Sequence, residues 1–296
     1  CKITHWVTTM AMNLSISQQY LKKIGFNREF VPTLENLKEL LALHIQNIPF
    51  GNLAPFLGDD VSLDPQVIVD KLLEHGREGY CLEQSTLTKI VLNELGFEAF
   101  NLLGRVYYQN MKVEMTPTRT HLVTIVKIDQ TLYLYDPGFG GMTPTGVLSL
   151  NEVNTVQQTP LEKFRLIDVK DTDIPEFALT EMKFMVQAYV KDVWVNVYAF
   201  NPEQEVAESD LIIANWYIST SPKSIFTQNL MLSIVKNNER ISLNNNVLRT
   251  HGKSGSTKKE LITLDDYQTT LKSVFNINIE QIDMLKIVDK INKSIT

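Results

Sequence analysis

Cysteine is scarce, with two residues in a chain of 296, so there is no disulfide framework, and the chain reads as cytoplasmic. Two cysteines and five scattered histidines offer no metal-ligand spacing, so no metal is expected. No apolar run approaches the length that spans a bilayer, so no membrane-spanning helix is expected. Basic charge is in deficit: Lys+Arg 28 against Asp+Glu 34 gives −6, which argues against a duplex nucleic-acid binder while leaving room for a local basic patch. Internal repeats and low-complexity segments are also missing. What remains is ordinary for a globular protein, 44% hydrophobic and 21% charged, and long enough to divide a large core among two or three domains.

The first residues, "CKITHWVTTMAM", fit poorly with the helical pattern that begins at Leu14. Residues 1–12 are expected to be a leader or cloning remnant, with Met10 or Met12 the natural start and a processed lipoprotein end at Cys1 the lesser alternative. His5 and Trp6 carry no functional weight. From Leu14 to Gly96 the pattern is helical. Ser15 or Ser17 caps a first helix ending at Gly25, and Thr33 caps a second with Leu34, Leu37, Leu40, Leu41 and Ile45 at helical spacing. His44 falls on the apolar side of that helix, as a core or rim residue. Asp64-Pro65 opens a third helix stopping near Gly76. A fourth starts at Cys81, turns Leu82, Leu87, Ile90, Val91 and Leu95 inward, and ends at Gly96.

From Phe97 to Phe200 the period changes to that of strands. "LLGRVYYQ", "THLVTIVKI", "TLYLYDPGF", "FRLIDV", "MKFMVQAYV" and "VWVNVYAF" are β-branched and aromatic with turn signals between them, predicting an antiparallel barrel. The last third mixes short strands with a helix in "LDDYQTTLKSVF", and Lys253–Lys259 reads as a solvated loop.

One stretch raises a chemical question. In "REGYCLEQ" Cys81 stands at a helix start, where unpaired N–H groups and the helix dipole favour a thiolate. Gly79 lets the backbone approach closely. A lone cysteine is more often inert packing, so a nucleophile needs an imidazole and a group to orient it. His121 opens one strand and Asp136 closes the next. With an even-length turn centred between Asp129 and Gln130, paired positions sum to 259. Val123 then lies opposite Asp136, and His121 shares that face. Diagonal neighbours are about 7–8 Å apart, within reach of an imidazole and a carboxylate. An odd-length turn would put the two on opposite faces.

"REGYCLEQ", "THLV" and "DPGFGG", in this order, resemble the motifs of the arylamine N-acetyltransferases. "YLKKIGF", "LLALHIQNIPFGNL" and "YISTSPKSIFTQNL" extend the resemblance over nearly the whole chain after residue 12. It implies an α+β fold: a helical bundle over 13–100 carrying the nucleophile, a β-barrel over 101–210 carrying the histidine and aspartate, and an α/β lid over 211–296, around a cysteine-protease-like core. It further implies a triad of Cys81, His121 and Asp136, with acetyl-coenzyme A as co-substrate and an arylamine or hydrazine as acceptor. Thr116, Thr118 and Tyr217 would lie along the coenzyme, and Thr120 and Phe139 at the acceptor. A polar loop entering a strand and a core phenylalanine are the plainer readings of the threonines and of Phe139. Two departures stand out. The family's glutamate in "PFENL" is Gly51 here, and the glycine after its arginine is Glu78, so Glu78 or another acid is expected to pair with Arg77. Papain-like or transglutaminase-like thiol enzymes, and a non-catalytic binding protein with Cys81 packed, are the competing classes.

Overall fold

The computed structural model describes residues 14–109 and 113–295; the leader expected over residues 1–12 lies outside them. The helical part begins with α1 (Ile16–Ile24), whose capping box is Ser15 Oγ accepting from Gln18 N and Gln18 Oε1 accepting from Ser15 N. Ser17, the other candidate cap, lies inside the helix with its N–H on Glu94. Thr33 caps α2 (Leu34–Asn47). After β1 (Phe50–Gly51) and α3 (Leu53–Leu57), Asp64 caps α4 (Pro65–Val69), which runs on through a π turn over Asp70–Glu74. The fourth expected helix is α5 (Cys81–Glu94). The apolar stripe of α2 packs with Ile68, Leu72, Leu87 and Val91 in one core, which reaches Val126 and Tyr135 of the neighbouring sheet.

That sheet has eight antiparallel strands: β2 (Glu98–Val106), β3 (Arg119–Ile128), β4 (Thr131–Tyr135), β5 (Leu148–Ser149), β6 (Gln157–Gln158), β7 (Lys163–Asp168), β8 (Phe184–Val190) and β9 (Val193–Phe200). Their order is β5-β4-β3-β2-β9-β8-β7-β6, and a bridge from Val153 to Leu166 nearly closes the barrel. Side chains alternate as a pleated strand requires. Val123, Ile125 and Leu134 fill the interior with Leu102, Leu166, Val186 and Phe200, while Val126 and Tyr135 face the helices. The β3–β4 register is Thr124↔Tyr135, Ile125↔Leu134 and Val126↔Tyr133, each pair summing to 259, and Asp129 adopts φ 54 in the two-residue turn. Aspartate tolerates this left-handed conformation better than most residues.

The last part contains α6 (Glu208–Thr220), α7 (Ile225–Gln228), β10 (Met231–Lys236), β11 (Glu239–Asn244), β12 (Val247–Gly252), β13 (Gly255–Glu260), α8 (Leu264–Thr269) and α9 (Met284–Ile295). β10 to β13 form a meander whose first neighbour is β1, through Phe50↔Ser233. One face of this sheet buries Leu232, Ile234 and Leu243 against Tyr267, Leu271, Phe275 and Ile287. Buried Arg240 on β11 pairs with Glu162 at 2.9 Å and ties the sheet to the barrel. The loop expected at Lys253–Lys259 is instead mostly strand β13, paired in register with β12 through Leu248↔Lys259 and Thr250↔Thr257. All six of its residues are exposed. Neither of its faces is covered, so no apolar alternation marks it, and its lysines suit an unpaired edge. The amphipathic α9 is an addition to the sequence reading; Met284, Ile287 and Ile291 are its buried side.

Candidate active site

Cys81 is the first residue of α5 and is 3% exposed. The turn before it is held from several sides. Glu83 Oε2 accepts from Tyr80 N at 3.0 Å, and the same buried carboxylate is ion-paired with Lys71. A Cβ at Gly79 would stand 2.8 Å from Leu72, so only glycine lets the turn pack this closely on the helices. Arg77 Nε lies 3.1 Å from Glu78 Oε2, and Glu78 is fully buried, so the acid expected to pair with Arg77 is the adjacent one. Gly51 makes room for it: a Cβ there would fall 2.5 Å from Glu78 Cγ and 2.3 Å from Leu232. Gly51 and Glu78 are thus coupled, since the stem of the Glu78 carboxylate fills the space that a side chain at 51 would need.

His121 begins the inward face of β3, and Asp136 follows the end of β4. His121 Nε2 lies 2.8 Å from Asp136 Oδ2. The Cys81 thiol is near enough to the ring to favour its charged form, and Cys81 Sγ donates to the Thr120 carbonyl at 3.4 Å. Burial alone would lower the imidazole's pKa. The charge and hydrogen bond of Asp136, with a further contribution from Cys81, outweigh that and push it up to about 10. Asp136 is fully buried with both oxygens bonded: Oδ2 also accepts from Tyr198 Oη at 2.7 Å, and Oδ1 accepts from Gly138 N at 3.0 Å. Burial and the neighbouring carboxylate raise the Tyr198 phenol well above its ordinary range, so it stays protonated and donates. Gly138 is a close approach too, since a Cβ there would lie 3.0 Å from Cys81 Cα.

These residues open on a cleft of about 810 Å³ between the barrel, α6–α7 and the polar face of the meander. Thr118, Thr120, Phe139 and Tyr217 all line it with Cys81 and His121. Thr116 does not; its hydroxyl donates to the Phe177 carbonyl at 2.8 Å. Phe139 stands edge-on to His121, ring centroids 4.9 Å apart, so it is half-buried against the imidazole and half open to the cleft. Tyr198 was missed by sequence reasoning, although a tyrosine inside a barrel strand needs a partner for its hydroxyl when buried. Lys223 and Arg249 also line the cleft, and among the described residues neither is ion-paired. No cluster of metal-ligating side chains occurs among the described residues, and no helix there is long and apolar enough to cross a membrane.

A thiol, an imidazole and a carboxylate thus stand together at the wall of a cleft, the kind of arrangement that a thiol enzyme uses. An N-acetyltransferase family model matches residues 33–284. Arylamine N-acetyltransferases of Mycobacterium tuberculosis and Mycolicibacterium smegmatis are each 35% identical, over 92% and 90% of this chain and 92% and 91% of their own. The solved arylamine N-acetyltransferase of Mycobacterium marinum in complex with CoA superposes with a TM-score of 0.84 at 35% identity, covering 93% of this chain and 98% of that one. The chain belongs to the arylamine N-acetyltransferase family, and is an acyltransferase.

Proposed function

We propose that the protein moves an acetyl group from acetyl-coenzyme A to an arylamine, a hydrazine or the oxygen of an N-hydroxyarylamine, through an acetyl-cysteine at Cys81. The observation that carries this reading is His121, bonded to a buried carboxylate and beside the Cys81 thiol on the cleft wall. Its raised basicity draws the thiol proton and leaves a thiolate–imidazolium pair, as in a cysteine-protease-like core. The thiolate attacks the thioester carbonyl, the carbon–sulfur bond to coenzyme A breaks, and the leaving thiolate takes the proton from His121. The acceptor nitrogen or oxygen then attacks the acetyl-cysteine while His121 removes its proton. Cleavage of the new carbon–sulfur bond restores the starting pair. The order is ping-pong because one sulfur serves both halves. A nucleophilic thiol must stay reduced, which suits a cytoplasmic setting.

The coenzyme would run past Thr118 and Tyr217, with Thr116 beside that path, toward the meander; the acceptor would sit at Phe139 and Thr120. Phe50, Ser233, Ser242 and Arg249 occupy directly paired positions, so the row from Phe50 to Arg249 covers roughly 14 Å at three strand spacings. An extended pantetheine arm of about thirteen bonds spans roughly 16 Å, which would bring the phosphates to Arg249 and Lys223. Incubation with acetyl-coenzyme A is expected to add the mass of one acetyl group, lost again on adding an arylamine and absent in Cys81→Ala. An adduct that survives the arylamine, or forms in Cys81→Ala, would overturn the reading.

A further inference from the structure

Behind the site, on the side away from the cleft, a second buried histidine joins the two halves of the relay. His44 Nδ1 lies 2.8 Å from Tyr20 Oη, and Nε2 lies 3.1 Å from Gln84 Oε1. Gln84 Nε2 donates to the Gly79 carbonyl at 2.8 Å and to the Pro49 carbonyl at 3.1 Å. Tyr20 Oη is in turn 3.3 Å from Tyr135 Oη. His44 and Gln84 are fully buried, Tyr20 and Tyr135 nearly or fully so.

For a neutral imidazole the inventory of donors leaves one arrangement for this network. Both Gln84 contacts to carbonyls come from its amide nitrogen, so its oxygen must accept, and His44 Nε2 must carry the proton. Nδ1 is then an acceptor and Tyr20 must donate to it. That uses the Tyr20 hydrogen, so Tyr135 donates to Tyr20. The bonds run in one direction at each end of a neutral imidazole. An imidazolium would instead donate from Nδ1 to Tyr20 and reverse the bonds at that end, and neither of the groups bonded to His44 is a carboxylate that would hold the charge. The groups bonded to His44 are Tyr20 from α1 and Gln84 from α5, with Tyr135 of β4 reached through Tyr20, and none of them is a carboxylate.

The two ends of the network give it its meaning. One end is the Gly79 carbonyl, two residues before Cys81; the other is Tyr135, directly before Asp136. Pro49, the remaining anchor, precedes Phe50 on the cleft wall. We infer that His44, with Tyr20 and Gln84, is a positioning residue for acyl transfer: its neutral imidazole sets the nucleophile turn against the strand end that carries the orienting carboxylate. This rests on the reading of Cys81, His121 and Asp136 as the reacting group and its partners.

The test compares His44→Phe, which keeps ring volume but loses both hydrogen bonds, with His44→Gln, which can donate and accept. Tyr20→Phe removes the bonds to His44 Nδ1 and to Tyr135 and leaves the Gln84 end intact. Displacement of reacting groups by about 1 Å costs on the order of 10²-fold, so His44→Phe is expected to lower kcat by about 10- to 100-fold with KM for acetyl-coenzyme A within about twofold. The pH at which iodoacetamide half-saturates Cys81 should move upward in parallel. His44→Gln should recover most of the loss, and Tyr20→Phe should lose about three- to tenfold. A folded His44→Phe with wild-type kcat and alkylation profile overturns the inference; should that variant not fold, a wild-type kcat and alkylation profile in Tyr20→Phe does so. Cys81→Ala in the same assay separates the cases: if it remains active, the reading of the reacting thiol fails, whereas an inactive Cys81→Ala beside unaffected His44 and Tyr20 variants sinks only the positioning role.

Discussion

His44 stands among the helices and His121 on the inner wall of the barrel, both almost completely shielded from solvent, the first bonded to neutral partners at both ring nitrogens and the second to a carboxylate through Nε2. Burial lowers the pKa of His44 to about 4, with only slight opposition from Gln84. The same burial acts on His121, yet its pKa rises to about 10 because Asp136 and then Cys81 face it. Depth therefore does not decide the charge of a buried imidazole. A carboxylate in contact does, because in a medium of low dielectric its attraction exceeds the cost of removing the cation from water. Burial without a charged partner favours the neutral ring at His44, and the carboxylate favours the charged one at His121.

The comparison breaks most severely if Asp136 loses its charge. Asp136→Asn should make the surroundings of His121 resemble those of His44 and lower kcat/KM for arylamine acetylation by roughly 10³- to 10⁴-fold, as loss of the orienting carboxylate does in other triads. A loss under tenfold in a folded variant would mean that the carboxylate does not set the base. A second contrast concerns pH. His121 has its pKa raised on folding, so its contribution to stability is fully present below about pH 6.5 and disappears as pH rises through about 10. The stability gap between wild type and His121→Gln, measured by urea unfolding, should therefore narrow across that interval. His44 has the opposite sign. Its folded pKa is depressed, so stability present above about pH 6.5 is lost as pH falls through about 4, by about 3 kcal/mol. His44→Gln should flatten that part of the acid limb; equal slopes in both proteins would refute the assignment.

Smaller effects sharpen the same picture. Tyr198→Phe removes one of the donors to Asp136 without touching its charge, and should cost about 1.5–3 kcal/mol of stability, read from the urea midpoint, while leaving His121 protonated at neutral pH. The least effect belongs to exposed charge. Lys258 and Glu260 pair at 2.9 Å on the open edge strand, and Glu260→Gln is expected to leave both the urea midpoint and the activity unchanged.

Much of this is legible in the chain. The helix caps at Ser15, Thr33 and Asp64 use short-range bonds that any local reading can find. The β3–β4 register follows from turn length and a period of two, and it alone puts His121 and Asp136 on one face. Segments without apolar alternation are harder. β13 is polar on both faces and looks like a loop in the sequence, where Tyr198 looks like barrel wall and nothing more.

Local period and turn length thus determined which side chains share a face, because those are properties of neighbouring residues. Tertiary structure alone decided their states: that His44 is neutral and His121 charged, that Glu78 fills the space left by Gly51, and that Tyr198 completes the shell of Asp136. Desolvation, close approach and charge–charge attraction depend on distances between residues far apart in the chain, and the order of amino acids does not state those distances.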